Sequence, residues 1–417
     1  MGDAWDRERP QPVAVGPPRR RMSRAERIRE ARRRRRRRLV RGLTLSVFIL
    51  VVVAAVFLGS RMWHSVFGGG DNDYSGDGKA DIVIQIHDGD STTAIGQTLE
   101  DHDVVATSKA FVNAAQDDSA IQSIQPGFYK MRTEIPAANA VARLGDAQNR
   151  VGKLVIPEGR QLDDIRDVKT NDVTDGIFSL ISNATCVDLD GDRRCVSADD
   201  LREAAGSASL SQLSVPDWAT QPAQAMGGDH RRLEGLIAPG SWDVDPSASA
   251  TDILSTLINA SAVQYGQSGL LDTAKSLNMT PYQILTVASL VQRESKPQDF
   301  DKVARVIYNR LVVPDHRRLE FDSTVNYSLD RQEVATTDAD RAKATPWNTY
   351  VREGLPVTPI CSPGTEALTA AEHPASGDWL YFVTIDMQGT TLFTREYPQH
   401  LANIELAKRN GVLDSAR

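Results

Sequence analysis

The chain has 417 residues, of which 41% are hydrophobic and 25% are charged. These values are typical of globular proteins and exclude a fibrous or wholly disordered chain, and the length allows two or three domains. The net charge of −7 is unevenly distributed, because residues 1–41 contain 16 arginines and five acidic residues and carry +11, which leaves −18 for residues 42–417. A basic tail on an acidic body argues against a purely cytosolic enzyme. The arginines of the tail could suggest a nucleic-acid ligand, but the charge of −18 on the remainder argues against one.

Residues 42–60 include the most apolar run of the chain. The 18 uncharged residues from Gly42 to Gly59 are just enough to cross the hydrocarbon core of a membrane as a helix. The consecutive arginines Arg32–Arg38 lie shortly before this run, and such a cluster stays on the cytoplasmic side. We therefore predict a single-pass anchor over 42–60, a cytoplasmic tail over 1–41 and an extracytoplasmic remainder, which locates the protein in the cell membrane.

A cleaved signal peptide is the alternative interpretation of this region. The basic lead of 41 residues is long for a signal peptide, however, and no A-x-A-like cleavage site follows the apolar run. The arginines could also bind anionic lipid head groups, so the membrane itself is a predicted partner.

The segment after the predicted anchor begins with a linker and continues with two similar patterns. Residues 61–80 are rich in glycine and aspartate and predict a flexible spacer. An alternating apolar pattern then predicts a strand, a glycine turn and a helix, with apolar residues at Ile82, Ile84, Ile86, Ile95 and Leu99. Leu154–Ile156 and Pro157–Gly159, followed by Leu162 and Ile165, repeat this order and predict a second strand, turn and helix. Residues 81–165 are therefore expected to form a small βα module.

Residues 166–228 are polar and irregular and predict an insertion. Cys186 and Cys195 bracket a short loop, and because disulfides persist outside the cytoplasm, we predict that they pair. Cys361 then remains unpaired and is expected to be a small buried residue. Asp188–Asp192 resembles the opening of a calcium-binding loop, but the turn glycine and the closing glutamate of such a loop are absent. A surface loop closed by a disulfide is the favoured interpretation, and no metal site is predicted.

A helix with a clear beginning is predicted after residue 279. Thr280 can cap it, Pro281 suits the first helical position, and Gln283 completes a capping box with Thr280. The apolar residues that follow fall on one stripe of the helix: Ile284, Val287, Leu290 and Val291.

Glu294 occupies an unusual position at the end of this helix. It lies seven residues after Val287, so its carboxyl group falls on the same apolar face, and Pro297 ends the helix soon afterwards. Apolar surroundings and the negative end of the helix dipole both oppose ionisation, which suits a carboxyl group that acts as a general acid. The alternative is a structural glutamate that forms an ion pair with Arg293 or Arg305.

Several ordered blocks of this sequence resemble the endolytic murein transglycosylase (YceG-like) family. The blocks are Ala288–Glu294, Val306–Leu311, Leu319–Tyr327, Asn348–Tyr350, Gly354–Pro356, Ile360–Gly364, Tyr381–Val383 and Phe393–Thr394, preceded by Leu233–Gly235 with Pro239 and Trp242. The resemblance is strong over residues 229–405 and weaker over 81–165.

The resemblance implies a fold, an activity and a set of site residues. The expected fold is α+β, with a single-pass anchor, a LysM-like βα module at 81–165 and a mixed α+β catalytic domain at 229–417. Glu294 matches the catalytic glutamate of the family, whereas Gln292 stands where many members carry a second glutamate. The substrate-binding residues implied for the cleft are Thr324, Tyr327, Asn348, Thr349 and Tyr350, each of which could instead be structural. No cofactor is expected.

The implied activity is that of a lytic transglycosylase acting on nascent peptidoglycan. Glu294 would protonate the oxygen between N-acetylmuramic acid and N-acetylglucosamine, and the strand would end in a 1,6-anhydro ring, which terminates its elongation. The predicted location near new glycan makes cell-wall synthases (penicillin-binding proteins) expected partners. Two alternatives remain open: a hydrolase that uses Asp322 as its second carboxylate, or a non-catalytic peptidoglycan-binding protein that uses the LysM-like module.

Overall fold

A computed structural model describes residues 73–116, 121, 124–332 and 336–412. All of them belong to one of two units of the chain, Asp73–Arg417. No helix among these residues is long and apolar enough to cross a membrane. The predicted tail, the predicted anchor and most of the linker lie outside the described residues.

The first part of the described chain is a small module with its own apolar core. Its elements are β1 (Asp81–Ile86), α1 (Thr92–Asp101), α2 (Ser108–Gln116), β2 (Gly127–Arg132), α3 (Ala137–Gly145) and β3 (Arg150–Val151). The strands β1 and β2 pair in antiparallel fashion, with Asp81 opposite Arg132, and β3 pairs with β2. Ile84, Leu99 and Phe111 are at most 2% exposed and belong to the core of the module. The predicted strand and the helix that follows it are confirmed as β1 and α1.

The prediction of a second helix after Pro157–Gly159 is wrong. The chain forms the predicted strand β4 (Lys153–Ile156) and then continues through turns and the short strands β5 (Ile165–Asp167) and β6 (Val173–Thr174). The backbone here bonds to other segments: the Leu162 N–H donates to Glu234, and the Gln161 carbonyl accepts from the Ile177 N–H. These long-range bonds replace the local bonds that a helix would need.

Residues 166–228, predicted to be a polar and irregular insertion, are not irregular: they form three helices and a hairpin, and the hairpin contacts the small module. These elements are α4 (Ile177–Thr185), β7 (Val187–Leu189), β8 (Asp192–Arg194), α5 (Ala198–Ser207) and α6 (Asp217–Ala225). A disulfide joins Cys186 to Cys195 and closes the β7–β8 hairpin. At the tip of the hairpin, Asp190 accepts from the Asp81 N–H at 3.1 Å and donates its own N–H to Asp81 at 3.0 Å. The hairpin therefore fastens the edge of β1 to the insertion.

The same contacts use two polar groups of the acidic loop Asp188–Asp192, which resembles the opening of a calcium-binding loop. The carboxylate of Asp190 is engaged by backbone N–H, and the Asp188 carbonyl accepts from Lys130. Within the ranges that the structure describes, no group of three or more metal-ligating side chains is positioned to hold an ion.

The main body surrounds one central helix, α9 (Pro281–Glu294). Its other helices are α7 (Ala250–Gln267), α8 (Leu270–Ser276), α10 (Phe300–Val312), α11 (Asp322–Ser328), α12 (Asp338–Arg341), α13 (Thr365–Glu372) and α14 (Tyr397–Arg409). Its further strands are β9 (Gly240–Asp243), which pairs with β4, β10 (Arg331–Gln332), which pairs with β5, and the hairpin β11 (Tyr381–Thr384) and β12 (Thr391–Thr394). The mixed α+β class is confirmed.

Helix α9 is buried on every side rather than along a single stripe. Thr280 caps it through the predicted capping box, and every residue from Ile284 to Val291 is buried. The segment Ile360–Gly364 runs beside it, where the Ile360 N–H donates to the Ser289 hydroxyl at 3.0 Å. Cys361 is free and fully buried in this segment, as predicted.

The disulfide gives the first testable prediction. Replacing Cys186 and Cys195 together by serine should lower the free energy of unfolding by about 2–3 kcal/mol, because the unfolded chain gains the entropy of an open loop of about ten residues. Denaturant titration of the full chain measures the change. A reductant should shift the wild-type midpoint in the same direction and leave the double variant unaffected; a wild-type midpoint insensitive to reductant would contradict the prediction.

Candidate active site

Glu294 is the last residue of α9, and its side chain is only partly exposed. The two arginines proposed as ion-pair partners bond elsewhere: Arg293 donates to the Gly159 carbonyl at 3.5 Å, and Arg305 donates to the Ala375 carbonyl at 2.6 Å. Glu294 thus reaches the surface at the end of a buried helix without a paired cation among the described residues.

The surroundings of Glu294 favour its neutral form. Burial raises the pKa of its carboxyl group to about 7, and the negative charge of Asp322 acts in the same direction. The hydroxyl and backbone N–H of Ser323 and the charge of Arg293 oppose this rise in pKa. A carboxyl group with a pKa near neutrality can give up and regain a proton at the same pH, as a group that acts first as acid and then as base must do.

Asp322, at the start of α11, is engaged by four hydrogen bonds. Its Oδ1 accepts from Thr336 at 2.6 Å, from Tyr350 at 2.8 Å and from the Nε of Arg341 at 3.0 Å. Its Oδ2 accepts from a terminal nitrogen of Arg341 at 2.9 Å, and the guanidinium group lies over the Tyr350 ring at 5.0 Å. A carboxylate held in this way is a poor nucleophile, because an attack would break several charge-assisted bonds.

Of the five predicted substrate-binding residues, the structure places only Tyr350 at the partly exposed surface near Glu294. Thr324, Asn348 and Thr349 are at most 1% exposed. The Thr324 and Thr349 hydroxyls bond at 3.0 Å, and the Asn348 amide donates to the carbonyls of Arg341 and Lys343. These three residues therefore support α11 and the loop that carries Tyr350 from behind.

Tyr327, the fifth predicted residue, is buried and bonds to a glutamate to which the sequence assigned no role. Its hydroxyl donates to Glu234 Oε2 at 2.9 Å, and the same oxygen accepts from the Leu162 N–H at 3.2 Å. Glu234 is 1% exposed, and burial raises the pKa of its carboxyl group to about 8. The available signal was a single charged residue in an apolar segment, Leu233–Ala238. Glu234 joins the turn after β4 to α11.

A turn of the chain forms another part of the surroundings of Glu294. Gln292 accepts from the Gly364 N–H at 2.8 Å, so it has a structural bond where many members of the resembled family carry a carboxylate. The Gly159 N–H donates to the Ser362 carbonyl at 2.8 Å, and the carboxyl group of Glu158 packs against Gly364. The Pro157–Gly159 turn is therefore fixed beside the end of α9.

Comparison with known proteins agrees with this arrangement. The model of the YceG-like family matches residues 84–406. The chain belongs to the YceG-like family. This membership confirms the resemblance found in the sequence.

Two relatives and one solved structure give the extent of the similarity. The chain is 27% identical over 331 residues to the endolytic murein transglycosylase of Bacillus subtilis (strain 168), across 78% of this chain and 84% of that protein. It is 25% identical over 341 residues to the endolytic murein transglycosylase of Streptococcus pneumoniae serotype 2, across 78% of this chain but only 58% of that protein. A crystal structure of a YceG-like protein from Listeria monocytogenes has a similar fold, with a TM-score of 0.50, 24% identity and coverage of 77% of this chain and 98% of that chain.

The bond between Tyr327 and Glu234 leads to a prediction about stability. The change Tyr327→Phe removes one of the two donors to a buried carboxyl oxygen, so the free energy of unfolding should fall by about 1–3 kcal/mol. Denaturant titration measures this loss. Tyr397→Phe is a matched control, because Tyr397 is 55% exposed, and it should change stability by less than about 0.5 kcal/mol. Equal effects of the two changes would show that the buried bond contributes nothing.

Proposed function

We propose that this protein is an endolytic lytic transglycosylase that cleaves peptidoglycan glycan strands between N-acetylmuramic acid and N-acetylglucosamine. The observation that carries the proposal is Glu294: a partly exposed carboxyl group at the end of a buried helix, with a pKa of about 7 and no paired cation among the described residues. The names of the relatives in Bacillus and Streptococcus support the same reaction.

A single carboxyl group is sufficient for this chemistry. Neutral Glu294 gives its proton to the glycosidic oxygen as the bond from the muramic acid C1 to that oxygen breaks. The 6-hydroxyl of the same muramic acid attacks C1 and passes its proton to the Glu294 carboxylate. The product carries a 1,6-anhydro ring, no water is consumed, and the glutamate ends the cycle in the acid form with which it began.

The geometry around Asp322 favours this reaction over hydrolysis. An ordinary glycosidase needs a second carboxylate as nucleophile or as base for water. Asp322, the candidate for that role, is occupied by Thr336, Tyr350 and Arg341. A purely binding function gives no reason for a partly exposed carboxyl group with a raised pKa, because burial of an unpaired carboxyl group costs stability.

The reaction can be tested through the product ends. The full chain incubated with glycan strands should release fragments that end in 1,6-anhydro-muramic acid, as detected by mass spectrometry. Glu294→Gln should lower the rate by at least about a thousandfold, because it removes the proposed proton donor while keeping the shape of the side chain. Glu366→Gln, a change at an exposed glutamate of α13, is the control and should retain full activity. Reducing ends instead of anhydro ends would identify a hydrolase, and intact strands a binding protein.

The cellular setting is a further part of the proposal. The apolar run at 42–60 and the arginines before it support a single-pass anchor with a cytoplasmic N-terminus. The catalytic domain would then act outside the membrane on nascent strands and limit their length, close to cell-wall synthases. The small module at 81–165 would contribute LysM-like glycan binding.

Fractionation of cells tests the anchor. The full chain should sediment with membranes, resist an alkaline wash and dissolve in detergent, because about 18 apolar residues must leave lipid for water. A chain without residues 1–60 and with a separate secretion signal should appear in the soluble extracytoplasmic fraction. A tag on residue 1 that is absent from the mature protein would indicate a cleaved signal peptide instead.

A further inference from the structure

Glu158 is an exposed glutamate whose carboxyl group has a defined place but no bonding partner. It lies in the turn Pro157–Gly159, and its carboxyl group packs against Gly364. Among the described parts of the chain, no group donates a hydrogen bond to this carboxyl group and no cation pairs with it. Arg160, two residues later, donates instead to the Asp175 carbonyl at 3.3 Å. Glu158 therefore offers acceptor oxygens at the surface.

Backbone bonds hold this turn in place. The Gly159 N–H donates to the Ser362 carbonyl at 2.8 Å, and the Ser362 N–H donates to the Arg160 carbonyl at 2.7 Å. Gly159 has a φ of +75°, a conformation that favours glycine. The turn cannot shift without losing both bonds, so the backbone of Glu158 is fixed relative to the segment Ile360–Gly364.

The side chain of Glu158, and not the backbone, explains why residue 364 is a glycine. Gly364 has a φ of −72° and a ψ of 170°, which suit any residue. It is the N-cap of α13, where serine, threonine, aspartate or asparagine would add a capping bond, and no side-chain bond caps this helix. A Cβ at this position would overlap the carboxyl group of Glu158, which supplies the three nearest atoms. The chain thus lacks a helix cap at a position where it accommodates an exposed carboxyl group.

The turn that carries Glu158 lies against the last turn of α9. The Gly364 N–H donates to Gln292 Oε1 at 2.8 Å, and a Cβ on Gly159 would lie 3.6 Å from the Cγ of Gln292. Gln292 and Glu294 are two residues apart, so their side chains leave the helix on different sides. Glu158 and Glu294 therefore flank the end of one helix, whose diameter with side chains is about 10–12 Å. A glycan strand that is cut internally extends on both sides of the scissile bond, so a strand that crosses the end of α9 can reach both residues.

We infer that Glu158 is a substrate-binding residue, which holds the glycan strand away from the scissile bond by accepting hydrogen bonds from sugar hydroxyl and acetamide N–H groups. The inference rests on the proposed function for the identity of the strand. A charged acceptor forms stronger hydrogen bonds than a neutral one, and a turn that is already fixed loses little entropy when the sugar binds. Glu158 does not contact the reacting atoms in this role.

Glu158→Gln in the full chain tests this role with peptide-free glycan strands as the substrate. KM should rise about tenfold and kcat should change by less than about twofold, because a contact remote from the reacting atoms contributes equally to the ground state and the transition state. The products should still end in 1,6-anhydro-muramic acid. Glu366→Gln, a change at an exposed glutamate in the first turn of α13, is the matched control and should leave KM unchanged. A KM that rises only when the strands carry peptides would assign Glu158 to a peptide ligand and overturn the inference.

Gly364→Ala displaces the same carboxyl group without removing its charge. The backbone of Gly364 accepts alanine, but the new methyl group takes the place of the Glu158 carboxyl group, so KM should rise by a similar factor. In a chain that already carries Glu158→Ala, the change at Gly364 should have no further effect on KM, because the displaced group is absent. Independent effects of the two changes on KM would overturn the inference. A lower denaturant midpoint in Glu158→Gln with an unchanged KM would make Glu158 structural and would also overturn it.

A measurement without turnover distinguishes this inference from the proposed function. The dissociation constant of the same strands is measured by isothermal titration calorimetry in the Glu294→Gln chain, and adding Glu158→Gln should weaken binding about tenfold. If the wild type cleaves no glycan but this loss of binding is observed, the proposed function fails and the role of Glu158 stands. If the wild type cleaves glycan and Glu158→Gln changes neither KM nor the dissociation constant, the inference alone fails.

Discussion

The burial of α9 on every side is the constraint on which the rest of this structure depends. A helix that is apolar all round must be enclosed by other elements, and here α6, α8, α10, α11, α13 and the segment Ile360–Gly364 enclose it. Its first turn reaches the surface at Gln283, and its last turn does so at Glu294, the final residue of the helix. The enclosing core thus fixes the position of the carboxyl group, and it also withdraws enough water to raise the pKa to about 7. The burial of α9 therefore determines both the position of the Glu294 carboxyl group and its raised pKa.

The features that could be predicted from the sequence are those determined over a few residues. The capping box of Thr280 with Gln283, the proline at the first helical position and the place of Glu294 in the last turn all follow from contacts within one helix. The strand and helix of the small module have the same local basis, as does the short loop that Cys186 and Cys195 close. The catalytic role of Glu294 stays a prediction, since geometry and acid strength support it without measuring a reaction.

What could not be predicted depends on contacts between residues far apart in the chain. The turn after β4 looked like the start of a helix, but its backbone bonds to Glu234, 72 residues later than Leu162. The polar tips of Tyr327 and Asn348 predict sugar ligands, yet those tips bond to Glu234 and to the backbone at and just after the end of α12. The sequence does not show whether a polar side chain faces the solvent or bonds to a buried partner. Only the fold distinguishes a residue that lines a binding surface from one that lies behind it.

Glu234 and Glu294 show why a raised pKa alone does not identify a catalytic group. Burial raises the pKa of both carboxyl groups, to about 8 and about 7. In both cases the folded chain binds more protons than the unfolded chain, so the stability that each contributes at low pH is lost as the pH rises from the ordinary value of 4.5 through the folded value. Glu234 is 1% exposed and bonds to Tyr327 and Leu162, so no substrate can reach it and its neutral form serves packing. Burial also disfavours the ionised form of Glu294, but its side chain is partly exposed, so a glycan could contact it. Access, not acid strength, therefore separates the structural glutamate from the candidate acid.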